Sequence, residues 1–436
     1  MTSQCADTFP CSPRLGRGAI SGSPELGRGG LLPLLLAPKQ WDGGRSLFPS
    51  HPCAANPVPP GKLSPMWLAL LAFAYSLPPV AALLTGLWQV RRALAKRQWD
   101  ARALAGLALL LLSITGRWWV RLLRPRTSAD PHPLTPTRKG YALGTDGVRL
   151  EWEQFGPDNA PALLLSHGWS LTHDTWYDQK TGLFPEYRVV VWDMRGTDRS
   201  SAPVNRDYSM EACADDLAAV FLASGAGSHP QGCVLAGHSV GAMILPLFAQ
   251  RHAGLMPQVR GLALLGGTDL PLLLSMRGHE WLRPLQRVFW EPLVRLMGWC
   301  PAPFQAYARL IWQLGAVHLA LMYGLRVSHE TRGQDDMVAY HCSHFSMRAA
   351  GLGALSCFGM DTRALLPLLN LPVLLLTGER DPNMPPEVQR AMLSRLPQGE
   401  LALMPNCGHL NLLECHDEVN TRLRAFAARC FGNASP

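Results

Sequence analysis

Three residues far apart in this 436-residue chain have the chemistry of a nucleophile, a base and an acid. Gly237-His238-Ser239-Val240-Gly241 follows the apolar run Cys233–Ala236 and precedes the apolar stretch Ala242–Gln250. A serine between two glycines, on a sharp turn from strand to helix, sits on crowded backbone with the following amides aimed at it. A serine hydroxyl is a weak nucleophile at neutral pH, so it needs an adjacent base and a third group to orient that base. Gly408-His409 follows the run Glu400–Leu403, and Thr377-Gly378-Glu379-Arg380-Asp381-Pro382 follows the run Pro372–Leu376. His409 would take the Ser239 proton and return it to the leaving group, while Asp381 fixes the imidazole tautomer. Asp381 is the first choice of acid because it alone holds a G-x-x-D position followed by proline. Asp269, after the run Gly261–Leu265, is the second choice and Glu379 the third. His167 and His238 compete with His409, but His238 is the variable residue of the serine turn and His167 belongs to a separate loop.

Other chemistries have weaker support. His341, Cys342 and His344 resemble metal ligands, yet a fourth ligand at a convincing spacing is missing. They read as polar residues of a mobile segment. Eleven cysteines, odd in number and irregular in spacing, do not make a disulfide framework. Cys213 and Cys233 fall in apolar helix and strand patterns, where a thiol packs as a small hydrophobe. No cofactor or metal is expected.

The elements that must position these residues begin near residue 138. Val148, Leu150 and Trp152 alternate after the turn Asp146-Gly147, a hairpin signal. The runs Ala162–Leu165, Arg188–Trp192, Cys233–Ala236, Gly261–Leu265, Pro372–Leu376 and Glu400–Leu403 are short, apolar and bounded by turns or loops. Helical patterns lie between some of them, such as Met210, Cys213, Leu217, Val220 and Phe221. Strands alternating with helices predict an α/β fold, a mostly parallel central sheet covered on both faces. From about Leu270 to Asp361 the rhythm gives way to helical apolar patterns rich in aromatics, which we read as an inserted helical cap.

Charge is divided unevenly. The formal net charge is +8, but residues 1–137 hold 15 Lys and Arg against 5 Asp and Glu, while residues 138–436 hold 25 against 27. The basic excess lies outside the catalytic region, which argues against nucleic acid as a partner. Residues 1–65 carry Pro and Gly every few positions and read as disordered, with Met66 a candidate native start. Residues 66–137 read as a membrane segment and linker. Leu63–Val90 has no formal charge and is long enough to cross a ~30 Å hydrocarbon layer, with Arg91-Arg92 at its end. A cleaved signal peptide fits less well, since no basic region precedes Met66. A second apolar run, Ala103–Gly116, leads to Arg117, which would snorkel to the headgroups. It either completes a hairpin or lies in the interface. Pro131–Pro136 reads as a linker.

Taken together, residues 138–436 resemble the α/β-hydrolase superfamily, in its large group with a cap after the sixth strand. His167-Gly168-Trp169-Ser170 is similar to the family's HG loop, which implies that the Trp169 and Val240 amides form an oxyanion hole. Asp193-Met194-Arg195-Gly196-Thr197-Asp198-Arg199-Ser200 is similar to its D-x-R-G-x-G-x-S, with Asp198 in place of the second glycine. Gly408-His409 followed by Glu414 also matches. The resemblance implies the triad Ser239, Asp381 and His409. Haloalkane dehalogenases and epoxide hydrolases of this fold use a carboxylate where this chain has Ser239. Carbon–carbon hydrolases and cofactor-free haloperoxidases usually have a further glycine where it has Ala242. The implied activity is therefore that of a carboxylesterase or lipase acting on apolar or lipidic acyl esters at a membrane. An acyltransferase using the same acyl-enzyme, or a catalytically idle membrane-tethered binding protein, are the alternatives.

Overall fold

The computed structural model describes residues 65–123, 126–276, 283–321 and 331–432, with side chains from Ser76 onward. The segment 1–64, expected to be disordered, lies outside the described residues. Eight strands form one sheet: β1 (Arg138–Leu143), β2 (Arg149–Phe155), β3 (Ala162–Ser166), β4 (Arg188–Trp192), β5 (Cys233–His238), β6 (Val259–Leu265), β7 (Val373–Gly378) and β8 (Gly399–Met404). Their order is β1-β2-β4-β3-β5-β6-β7-β8. β2 pairs antiparallel with β1 and β4, and every other pair is parallel. Each of the six apolar runs forms a strand, and the hairpin at Asp146-Gly147 joins β1 to β2.

β3, β4, β5 and β7 are buried along their whole length, as strands covered on both faces must be. Leu163 and Leu165 of β3 pack with Leu183, Leu423 and Phe426 of helices Tyr177–Leu183 and His416–Cys430. Ala162 and Leu164, pointing the other way, pack with Leu217, Ile244 and Met392 of helices Met210–Ser224, Val240–Arg251 and Pro386–Leu393. Alternation along a single strand thus builds two cores. Cys213 and Cys233 lie in these cores, and all eight cysteines of the described residues are free thiols. Pro246 lies inside Val240–Arg251 without ending it.

Between β6 and β7 the chain forms helices Glu291–Trp299, Pro301–Gln313, Ala316–Ala320, Arg332–His344 and Met347–Gly359. The sequence places His341, Cys342 and His344 in a mobile segment, whereas the structure places them in a regular helix. They ride the helix Arg332–His344, whose start is locked by a capping box between Thr331 and Gln334. No cluster of residues suited to a metal occurs among the described residues.

Ahead of the sheet, helices Pro65–Lys96 and Ala101–Ile114 form a hairpin, and Gly116–Leu122 follows. Asp100 caps the second helix by accepting from the Ala103 amide at 2.9 Å. The run Leu63–Val90 begins outside the described residues; the described part lies in the first helix. Among the described residues no single helix is long and apolar enough to cross a membrane. The pair Ala101–Ile114 and Gly116–Leu122, bent by 64°, meets that test together. Arg117 does not snorkel outward: its guanidinium lies 4.0 Å from the Trp312 ring centre in the cap. The expected linker is docked as well, with His132 2.6 Å from the Tyr177 hydroxyl.

Candidate active site

Ser239 takes φ 53° and ψ −117°, a backbone conformation that costs a non-glycine residue energy and is held only by its surroundings. The flanking glycines make it possible. A Cβ at Gly237 would strike the Gly241 carbonyl, and one at Gly241 would strike the Ser166 carbonyl at the end of β3. The Ser239 amide donates to the Leu265 carbonyl at 2.8 Å, which fixes the turn against β6. The side chain then projects from the carboxyl end of β5, toward the loops after β7 and β8.

His409 Nε2 lies 3.1 Å from Ser239 Oγ, and His409 Nδ1 lies 2.8 Å from Asp381 Oδ2. The other oxygen of Asp381 accepts from the Asn383 and Met384 amides at 2.8 and 3.0 Å. Burial pushes the Asp381 carboxyl up, but the His409 charge and these hydrogen bonds hold it below the ordinary carboxylate value. Burial pushes the His409 imidazole down, and the Asp381 carboxylate more than reverses this, so the histidine ends above its ordinary value. An imidazole stabilised as a cation beside a serine is a base that holds a proton taken from that serine.

The His409 loop is clamped from two sides. Glu414 accepts from the Gly408 and Leu410 amides at 2.8 and 3.0 Å, bracketing the histidine. His238 Nε2 donates to the His409 carbonyl at 2.9 Å. Burial, then the neighbouring His409, drive His238 down to about 3, so it stays neutral and orients the loop without exchanging protons. His167 is occupied elsewhere: its Nδ1 donates to the Gly168 carbonyl and its Nε2 accepts from the Met194 amide.

The two alternative acids are not at the histidine. Asp269 is buried and paired with Arg395 at 3.0 Å, and Glu379 is exposed. Among the described residues, neither the Trp169 amide nor the Val240 amide donates to another protein group. Val240 opens its helix, where the first amides have no partner within the helix. These two free amides flank the serine turn and suit a negatively charged oxygen.

The segment Asp193–Ser200 is a brace, and it does not touch the reacting atoms. Arg195 is fully covered and makes a fork with Asp216 at 2.6 and 2.7 Å and a third contact with Asp146 at 2.9 Å. Asp198 carries φ 40° in the place of the glycine, within the reach of aspartate. Asp193 receives the His173 amide and ring, both at 2.9 Å. Burial opposes charge on His173, yet Asp193 raises it to about 10. That buried ion pair, together with the contacts of the Trp169 ring below, is absent from the sequence reading. The aspartate that heads the segment was its one signal. Trp169 packs against Phe345 with ring centres 5.5 Å apart, beside Leu352 and Tyr208.

The sequence pattern of the alpha/beta hydrolase fold matches residues 161–414, more than half of the chain. The chain belongs to the α/β-hydrolase family. Among known proteins, a bifunctional esterase/perhydrolase of Acinetobacter calcoaceticus is 37% identical over 114 residues, which are 26% of this chain and 40% of that protein. A pimeloyl-[acyl-carrier protein] methyl ester esterase of Xanthomonas axonopodis is 28% identical over 272 residues, 62% of this chain and 96% of the relative. Among solved structures, an esterase from Exiguobacterium antarcticum superposes with a TM-score of 0.53 at 18% identity, covering 66% of this chain and 98% of the other. The α/β-hydrolase region of the present chain therefore spans nearly the whole of the last two proteins. The hairpin ahead of β1 lies before the matched region.

Proposed function

We propose that this α/β hydrolase cleaves carboxylic esters through an acyl-enzyme on Ser239. The observation that carries this reading is the relay of Ser239, His409 and Asp381 set beside two unbonded backbone amides. In the first step the Ser239 oxygen attacks the ester carbonyl carbon and His409 takes the hydroxyl proton. The Trp169 and Val240 amides stabilise the resulting oxyanion, and Asp381 stabilises the imidazolium. As the ester C–O bond breaks, His409 gives the proton to the departing alcohol. Water, deprotonated by the same imidazole, then attacks the acyl-enzyme and releases the carboxylic acid and free serine.

The esterases among its relatives support this reaction type. An apolar acyl group is favoured by the apolar cluster of Trp169, Phe345, Leu352 and Tyr208, which packs the cap against the loop that carries the Trp169 amide. The test is a fluorophosphonate probe followed by esters graded in acyl length. Labelling at Ser239 is expected, with kcat/KM rising about fourfold per added methylene while the chain is being buried, at ~0.8 kcal/mol each. A folded protein that neither labels nor hydrolyses any ester overturns the proposal.

A further inference from the structure

The N-terminal hairpin is packed in the opposite sense to a helix pair built for water. Among the described residues its buried positions are all small: Ser76, Gly86, Ala93, Ala103, Gly106 and Ser113. Gly86 and Gly106 bring the two backbones together, since a Cβ at Gly86 would lie 2.7 Å from the Gly106 carbonyl oxygen. The large side chains point outward instead. Leu84, Trp88, Leu104 and Leu111 are each more than half exposed, as are Trp118 and Trp119 just beyond the hairpin. In water such a continuous apolar surface is avoided. In lipid, where burying leucine between helices gains nothing, small residues at the contact and large ones outside are the favoured arrangement.

Charge is placed to match. No Asp, Glu, Lys, Arg or His lies between Pro65 and Val90 or between Ala103 and Gly116. The tip carries Arg91, Arg92, Lys96, Arg97 and Arg102 against the single anion Asp100. A helix lying flat in an interface carries charge along one side of its length, whereas here the charge is confined to the ends. The base of the hairpin is joined to the cap. Ser76 Oγ lies 2.6 Å from the Tyr307 hydroxyl, Gln313 donates to the Ile114 carbonyl at 2.9 Å, and Arg121 pairs with Asp336 at 2.7 Å.

We propose that this hairpin inserts through the apolar layer of an anionic phospholipid bilayer, with its basic tip in the far headgroups and the cap against the near surface. The second helix, 14 residues long, reaches about 21 Å. That is short of a ~30 Å layer, and the long side chains of the tip arginines and lysines together with local thinning of the bilayer make up the difference. Trp118 and Trp119 sit at the near interface, where their rings are favoured. Insertion holds the cap, whose helix Met347–Gly359 packs on Trp169 beside Ser239, at the membrane. Only the delivery of lipid-borne esters to Ser239 rests on the ester-hydrolase reading; the anchoring does not.

The test uses the full chain reconstituted into sealed vesicles of phosphatidylcholine and phosphatidylglycerol. The protein is expected to float with the vesicles and to stay bound through high salt and alkaline carbonate. Leu84→Glu combined with Leu111→Glu is expected to cut the bound fraction at least tenfold. Circular dichroism and thermal unfolding of that variant report the fold without calling on its activity. In vesicles with the catalytic domain outside, trypsin is expected to spare the tip arginines until detergent opens the membrane. Release by salt alone, a soluble dimer that buries this face and does not float, or cleavage of the tip in sealed vesicles overturns the proposal. If the double variant does not fold, tip protection in the wild-type protein still decides the outcome.

Discussion

The indole of Trp169 occupies the space that a Cβ on Gly353 would fill. Gly353 lies in the cap helix Met347–Gly359, and Trp169 carries one of the two free amides beside Ser239. The cap and the site therefore share one contact with no slack. In an exposed helix, alanine for glycine stabilises by up to ~1 kcal/mol. Here the added methyl meets a rigid ring, and the sign reverses. Gly353→Ala is expected to lower kcat for ester hydrolysis by tenfold or more, because losing one oxyanion donor costs about 10²–10³ and a displaced one costs part of that. Shortening the ring with Trp169→Leu in the same background is expected to restore part of the rate. Steady-state kinetics of the two single variants and the double variant check both statements.

The two candidate acids differ in what they hold. Asp381 lies 2.8 Å from the His409 ring, whereas Asp269 lies against Arg395. Asp381→Asn is expected to leave the protein folded and to reduce turnover by about 10⁴, since the wrong tautomer of His409 is then favoured. Asp269→Asn is expected to change stability more than turnover. Turnover numbers and thermal unfolding of the two variants separate these effects, and the reverse order would move the acid to the loop after β6.

The pH profile follows from the His409 shift. The base must be neutral before it accepts the Ser239 proton, and Asp381 lifts its pKa above the ordinary value of 6.5. Hydrolysis is therefore expected to rise with pH through an inflection above 6.5 in kcat/KM. Removing the Asp381 charge is expected to move that inflection down. For stability the sign is opposite. A histidine whose pKa is raised on folding contributes fully below its unfolded value, and loses that contribution as pH rises through the folded one. Initial rates and chemical denaturation across the same pH series check the pair.

Arg195 and Asp216 form a covered ion pair that braces the loop Asp193–Ser200. Burial pushes the Asp216 carboxyl up to about 6 even with Arg195 in place. Arg195→Met leaves that carboxylate buried without its main partner and is expected to cost ~3–5 kcal/mol. Denaturant unfolding at neutral pH measures the loss. A variant within 1 kcal/mol of wild type would show that the brace is dispensable.

The order of elements and the sharp serine turn were readable in the chain itself. Runs such as Ala162–Leu165 and Pro372–Leu376 are apolar throughout because both faces of a parallel strand are covered. Gly237 and Gly241 flank Ser239 because a Cβ at either place strikes backbone. These are local requirements, and a local pattern records them. The choice among Asp381, Asp269 and Glu379 as the partner of His409 depends on which loop tips converge, and only the sheet order brings β7 beside β8. The same holds for Arg117, which local hydropathy turns outward and the Trp312 ring turns back toward the cap. Gly353 shows the limit most plainly. Within its helix it is an unremarked glycine among alanines and leucines, and its role arises only from a tryptophan 184 positions away in the chain. Sequence periodicity reports the face a residue presents, but not which distant side chain arrives there, because close packing between separate elements is decided only when the chain has folded.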